Sequence, residues 1–237
     1  RDDVESRGLG DVYKRQDLCH VMQFVLQMVP TQLHRFGETR DLGGGLRAGA
    51  QAHFLTAAGQ QLETLINDVL DISRMESGRM RITHEPFDLY ELLARCGDTL
   101  HTQVVRMQLT CHVHFNHRHS HVIGSPLHVK RLVMNIISNA IKYNKDNGSI
   151  TLTLHELRSE GDKAWVRFTC ADTGIGIAPE HQGRVFERFY RVDKSHSRAT
   201  GGTGLGLSIV KHGAMFHHAR VSLESEPNKG TTVRVTF

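Results

Sequence analysis

The strongest constraint on this chain is a pair of glycine-rich segments, Asp172-Thr173-Gly174-Ile175-Gly176-Ile177 and Gly201-Gly202-Thr203-Gly204-Leu205-Gly206-Leu207. Glycine reaches positive φ and carries no Cβ, so each segment marks a place where backbone turns sharply or approaches another group closely. The first follows an alternating run, Val166, Phe168 and Cys170, and the second precedes Ser208, Ile209 and Val210 at helical spacing. One box therefore ends a strand and the other opens a helix. A lone GxG says little, because tight turns use it freely. Here Phe186-Glu187-Arg188-Phe189-Tyr190 lies between the boxes, and Asn135-Ile136-Ile137-Ser138-Asn139-Ala140-Ile141-Lys142-Tyr143 lies upstream.

In this order the segments resemble the N, G1, F and G2 boxes of the sensor histidine kinases, whose catalytic domain has the Bergerat ATP-binding fold. The resemblance runs from about Gln51 to the C-terminus and does not extend over residues 1–50. It implies ATP and Mg²⁺ as cofactors, with Asn135 and Asn139 serving the metal and Lys142 and Tyr143 reaching the nucleotide. Amide oxygens are hard ligands of the kind Mg²⁺ takes beside phosphate. Two asparagines one turn apart cost a helix roughly 0.5 kcal/mol each against good helix formers, which argues for a use.

The first box, with Gly174 and Gly176, lets backbone approach a flat base. Asp172 offers a carboxylate to an exocyclic amine, which adenine has and guanine lacks at that edge. The second box, Gly202, Thr203, Gly204, Leu205 and Gly206, leads into a helix whose free amides and positive end suit a polyphosphate. A dinucleotide-binding reading fails for want of the ribose-binding acid on a following strand, and a P-loop reading for want of Gly-Lys-Ser/Thr. The basic stretch Arg188, Arg191, Lys194 and Arg198 resembles the family's ATP lid, and Arg191 and Lys194 are its nucleotide candidates. In related hydrolysing ATPases a glutamate stands at the position of Asn135. An amide cannot accept water's proton, so the resemblance implies phosphoryl transfer to another nucleophile.

The rest of the chain reads as an α/β two-layer sandwich, a mixed sheet with helices on one face, preceded by a helical hairpin segment. Asp88 and Glu91 suit a capping box before a stripe of Leu89, Leu92, Leu93, Cys96 and Leu100. Ser125 and Pro126 open the asparagine helix as N-cap and first-turn proline. Period-two runs at Ile150-Leu152-Leu154, Val166-Phe168-Cys170, Val221-Leu223 and Val233-Val235-Phe237 are strands with one buried face. Upstream, Leu55, Ala58, Leu62, Leu65, Val69 and Ile72 form the stripe of a helix that packs on other helices. The segment 65–78 resembles the second helix of a kinase dimerisation hairpin. The expected division is 1–16 disordered or extraneous, 17–80 a degenerate dimerisation and phosphoacceptor-like region, and 81–237 the ATP-binding domain. A chain starting without Met and stopping on a strand reads as a piece of a longer protein.

No intact histidine box precedes Leu55. His20 is the phosphoacceptor candidate and His34 the next, although neither is followed by the acid the resemblance calls for. The cluster Cys111, His112, His114, His117, His119 and His121 reads as an exposed polar strand, with no structural metal expected. A formal net charge of +4 with scattered basic residues argues against nucleic acid. No apolar run reaches the roughly eighteen residues of a membrane span, so any membrane contact is expected to come from a region outside this chain. Four cysteines without framework spacing suit a reduced, cytoplasmic setting. By resemblance the expected partners are a response-regulator receiver domain and a second copy of the chain. The alternative is a nucleotide-binding scaffold that dimerises and transfers nothing.

Overall fold

A computed structural model describes residues 83–115, 120–158, 164–192 and 203–237, together with residues 59, 66, 67 and 70. The chain divides into two units, Arg1–Met80 and Arg81–Phe237. In the first, Gly59, Ile66, Asn67 and Leu70 are helical and exposed, while His20, His34 and the rest of the expected hairpin lie outside the described residues.

The second unit runs β1 (Glu85–Asp88), α1 (Leu89–Arg106), β2 (Thr110–Phe115), β3 (His121–Gly124), α2 (Pro126–Lys142), β4 (Ser149–Arg158) and β5 (Ala164–Asp172). It continues with the single turn α3 (Pro179–Gln182), then α4 (Gly206–Phe216), β6 (Arg220–Glu226) and β7 (Gly230–Thr236). Five strands form a mixed sheet in the order β2-β4-β5-β7-β6, with β2 parallel to β4 and the other pairs antiparallel. The alternation seen in sequence is the alternation of faces. Ile150, Leu152, Leu154, Val166, Phe168, Cys170, Val233 and Val235 point into one core with the apolar stripes of α1 and α2. This is the expected two-layer sandwich. Burying side chains such as Phe168 and Leu132 completely contributes about 1.5–3 kcal/mol each. Among the described residues no helix is long and apolar enough to cross a membrane.

Two features were not legible beforehand. The first is a two-stranded sheet, β1 against β3, which pairs Asp88 with His121 and secures the start of α1. There Asp88 caps the helix by accepting the Tyr90 N–H at 2.8 Å and the Ser120 hydroxyl, and Leu89 N–H donates to the Ser120 carbonyl at 2.9 Å. The second is at the start of α2. Ser125 occupies the N-cap, but its hydroxyl makes no cap bond and instead meets His128 Nδ1 at 2.7 Å. Its backbone N–H donates to His217 Nε2 at 2.9 Å, while His217 Nδ1–H donates to the Gly213 carbonyl at 2.7 Å. Gly124 is a glycine because a Cβ there would overlap the His217 ring.

His217 thus ties the end of α4 to the beginning of α2, and it must be neutral to do so. Burial holds its pKa below the ordinary 6.5, and the nearby His84 and His218 push the same way. The unfolded chain therefore takes up the proton first. His217 contributes stability that is complete above about pH 6.5 and lost as pH falls toward the folded pKa. In His217→Gln, leaving the buried Ser125 N–H without its acceptor is expected to cost roughly 1–3 kcal/mol at neutral pH. The gap from the parent in urea unfolding should narrow between about pH 7.5 and 5.5. A gap that stays constant over that range would remove His217 from the titration.

Candidate functional site

Three segments distant in sequence converge around the end of α2. On that helix Asn135 donates its amide Nδ2 to the Arg131 carbonyl at 2.9 Å, which turns its Oδ1 away from its own backbone. The facing element is the first turn of α4. A Cβ on Gly206 would lie 3.0 Å from Asn135 Oδ1 and 3.6 Å from Asn139 Nδ2, so glycine lets the start of α4 settle over both amides. The free N–H groups of a helix start are thereby brought beside the two asparagines. Lys142 is the last residue of α2 and Tyr143 its C-cap, with the Lys142 ammonium 5.3 Å from the Tyr143 ring centre.

Arg191 lies near enough to act electrostatically on both Lys142 and Tyr143. Partial burial, reinforced by the Arg191 charge, lowers the Lys142 pKa to about 8. Burial raises the Tyr143 hydroxyl above its usual range, against the pull of Arg191. Cations crowded together and partly desolvated are costly alone and favourable once an anion joins them.

The first glycine loop closes the other side. Asp172 ends β5, and its Oδ1 accepts N–H groups from Gly174 at 2.8 Å and Thr231 at 3.2 Å. Burial raises the Asp172 pKa, and those two hydrogen bonds oppose it. Gly174 sits so close to the Tyr143 carbonyl that a Cβ has no room, and Ile175 N–H donates to that carbonyl at 3.1 Å. The loop is therefore bonded directly to the end of the asparagine helix. Gly230, at φ +117°, passes against the Asp172 carbonyl where a side chain would collide.

In the second glycine segment Thr203 Oγ1 accepts the Leu205 N–H at 3.2 Å, and Ser208 Oγ donates to the Leu205 carbonyl at 2.7 Å. Leu205 is fully buried and anchors the start of α4. Gly204, at φ +73°, brings its backbone against Phe189, itself at φ +58°. The Phe186–Tyr190 segment and the second glycine segment thus meet backbone to backbone. Lys194 and Gly202 lie outside the described residues.

Of the expected site residues, the structure gathers Asn135, Asn139, Lys142, Tyr143, Arg191 and Gly206 at one end of α2, with Asp172, Gly174 and Gly176 in the adjoining loop. Sequence reasoning passed over Thr231 and Gly230, which support Asp172 from β7. Their only local signal is Pro227-Asn228-Lys229-Gly230 between two alternating runs, which reads as a hairpin turn and no more. In the histidine cluster, His112 and His114 are exposed on one face of β2, while His117 and His119 lie outside the described residues.

Residues 124–237 match the family described as histidine kinase-, DNA gyrase B-, and HSP90-like ATPase. Over 180 residues the chain is 33% identical to the circadian input-output histidine kinase CikA of Synechococcus elongatus, an alignment covering 75% of this chain and 23% of CikA. Among solved structures it resembles a mycobacterial sensor histidine kinase, MprB, at 27% identity and TM-score 0.54, covering 65% of this chain and 96% of that one. It shares its fold with the histidine kinase ThkA, solved in complex with the response regulator protein TrrA, at 18% identity and TM-score 0.62, covering 99% of this chain and 60% of that one. The chain spans less than half the length of the first curated relatives it matches.

Proposed function

We propose, for a chain that belongs over residues 124–237 to the histidine kinase-, DNA gyrase B-, and HSP90-like ATPase family, that it binds Mg²⁺-ATP and delivers the γ-phosphoryl group to a histidine. The observation that carries this reading is the convergence of Asp172, the Asn135–Asn139 pair and the Lys142–Arg191 cations around one helix end. Asp172 has one oxygen held by Gly174 and Thr231, and its second oxygen is the one that receives the adenine amine. Lys142 and Arg191 meet the phosphates, with Lys194 joining them, and the first turn of α4 offers its amides to the same group. Tyr143 borders the nucleotide beside Lys142.

The donor set suits Mg²⁺: Asn135 presents an amide oxygen because its nitrogen is engaged by Arg131, and Asn139 lies one turn away. When bound, the ion neutralises phosphate charge and orients the triphosphate. Neither amide takes a proton at neutral pH, so this chain holds ATP without activating water against it. Transfer then requires an acceptor imidazole, whose nitrogen bonds to the γ-phosphorus as the bridging oxygen leaves with ADP. We assign residues 81–237 to this catalytic role and residues 17–80 to a degenerate dimerisation and phosphoacceptor-like region. A receiver-domain aspartate is the onward acceptor, a partner class supported by the ThkA–TrrA complex.

With labelled ATP and an added histidine-bearing dimerisation domain, the chain is expected to leave an acid-labile, base-stable phosphoryl group on the added domain. Label on the chain itself that His20→Ala removes would place the acceptor within it. Tight ATP binding without label on either protein would leave a nucleotide-binding scaffold.

The Lys142 cluster adds a second expected result. A lysine with a pKa of about 8 is half neutral at that pH, and a bound triphosphate restores its charge. Near pH 8, ATP binding should take up as much as about half a proton. The uptake is read as the dependence of calorimetric heat on buffer ionisation enthalpy. Lys142→Arg, which stays charged, should abolish it, and an unchanged uptake would assign the proton to another group.

A further inference from the structure

The first glycine loop is also held from the side away from the asparagine helix. Ile177 N–H donates to Ser225 Oγ at 2.8 Å, although Ile177 lies in the loop after β5 and Ser225 within β6. The same hydroxyl lies 2.9 Å from both the Gly230 carbonyl and Thr231 Oγ1. Ser225 and Thr231 are cross-strand partners on β6 and β7, and the Thr231 N–H is the one that reaches Asp172 Oδ1. A ring therefore closes: Asp172, Thr231, Ser225, Ile177 and back along the loop.

Gln182, at the end of α3, ties into it by donating Nε2 to the carbonyls of both Ile177 and Ser225 at 2.8 Å. The turn between β6 and β7 adds a backbone bond from Asn228 N–H to the Ile175 carbonyl at 2.8 Å. Gly176, at φ +68°, passes beneath the Glu226 carbonyl where no side chain fits.

From this geometry we infer that Ser225, supported by Gln182, is a positioning residue for base recognition: it fixes the Asp172 loop from the β6–β7 hairpin and so sets the preference for adenine. The inference rests on the ATP-binding reading above. Its chemistry is a matter of acceptor supply. Ile175 and Ile177 sit in a glycine-flanked loop without ladder partners, so their polar groups are satisfied from outside it. Tyr143 takes the Ile175 N–H and Asn228 its carbonyl, while Ser225 takes the Ile177 N–H and Gln182 its carbonyl. Removing the Ser225 hydroxyl leaves the Ile177 N–H without its acceptor and the Thr231 hydroxyl without its partner. The loop then loses its side-chain brace from β6, so the Asp172 carboxylate at its head is less firmly aimed. The bonds from Tyr143, Asn228, Gln182 and the Thr231 N–H remain. Discrimination between bases suffers before stability does, because a hydrogen-bonded pocket rejects the wrong base only while its donors and acceptors are held in register.

The decisive measurement is amide hydrogen exchange on the nucleotide-free chain, paired with ATP and GTP titrations. In Ser225→Ala the Ile177 amide should exchange about three- to ten-fold faster, with core amides of α2 unchanged. ATP affinity should fall relative to GTP, and Ser225→Thr, which keeps the hydroxyl, should restore both readouts. Gln182→Met should show the same direction with a smaller shift. Unchanged Ile177 exchange in Ser225→Ala would overturn the inference, as would acceleration spread evenly over the domain. So would accelerated Ile177 exchange with the ATP-to-GTP preference intact. If the parent chain binds neither nucleotide while Ile177 responds as expected, the ATP-binding reading fails and the loop brace stands without its role in base choice.

Discussion

Asp172→Ala is expected to weaken ATP binding by roughly ten- to hundred-fold, the loss that follows from a charge-assisted hydrogen bond of about 1.5–3 kcal/mol. The alanine variant does two things at once, because Asp172 Oδ1 also receives the Gly174 and Thr231 N–H groups. Asp172→Asn separates them. Its carbonyl oxygen still accepts both loop bonds, while the edge facing the base becomes an NH₂ that opposes the adenine amine. The asparagine variant should therefore melt close to the parent yet bind ATP as poorly as the alanine variant. Because burial raises the Asp172 pKa, acidification should weaken ATP binding in the parent at a higher pH than an ordinary aspartate would, and the asparagine variant should lack that step. Full ATP affinity in Asp172→Asn, or equal parental affinity for GTP, would remove Asp172 from base recognition.

The second large effect is expected at Asn135. Asn135→Ala removes an amide oxygen already turned toward the start of α4. It should reduce the Mg²⁺-dependent part of ATP affinity by at least about ten-fold, the scale on which metal sites respond to losing a supporting group. Affinity measured with EDTA present should change little. Asn139→Ala should follow the same pattern. If affinity drops equally with and without Mg²⁺, the helix has been disturbed and the ligand role is wrong. Helix propensity works against that outcome, since alanine is the better helix former by roughly 0.5 kcal/mol.

The period-two runs of β4, β5 and β7 and the stripes of α1 and α2 were legible because burial on one face imposes a local period on the residues themselves. Short or edge elements lack that imprint. β1 and β3 have four residues each, and β1 contains Pro86, so no window is long enough to show alternation. β2, at the sheet edge, is exposed along nearly its whole length, as the reading of an exposed polar strand expected, but nothing in its histidines showed that it pairs in parallel with β4. The Ser125 hydroxyl was expected to cap α2, and the structure gives it to the His128 ring instead, while the Ser125 N–H donates to His217 beyond the end of α4.

From residues alone, the identity and order of the candidate nucleotide-binding segments could be determined, together with the class of sheet and helix that carries them. Glycines, paired asparagines and alternating apolar side chains are local demands of backbone geometry and solvent, and they leave local marks. What only the tertiary structure decided is which groups hold those segments in place: Tyr143 and Thr231 on either side of the Asp172 loop, Ser225 behind Ile177, Gly206 over Asn135 and His217 beneath Ser125. These are hydrogen bonds and close approaches between residues far apart in the chain. A lone serine or threonine in a strand has the same local signature whether or not such a partner exists, so only folding reveals it.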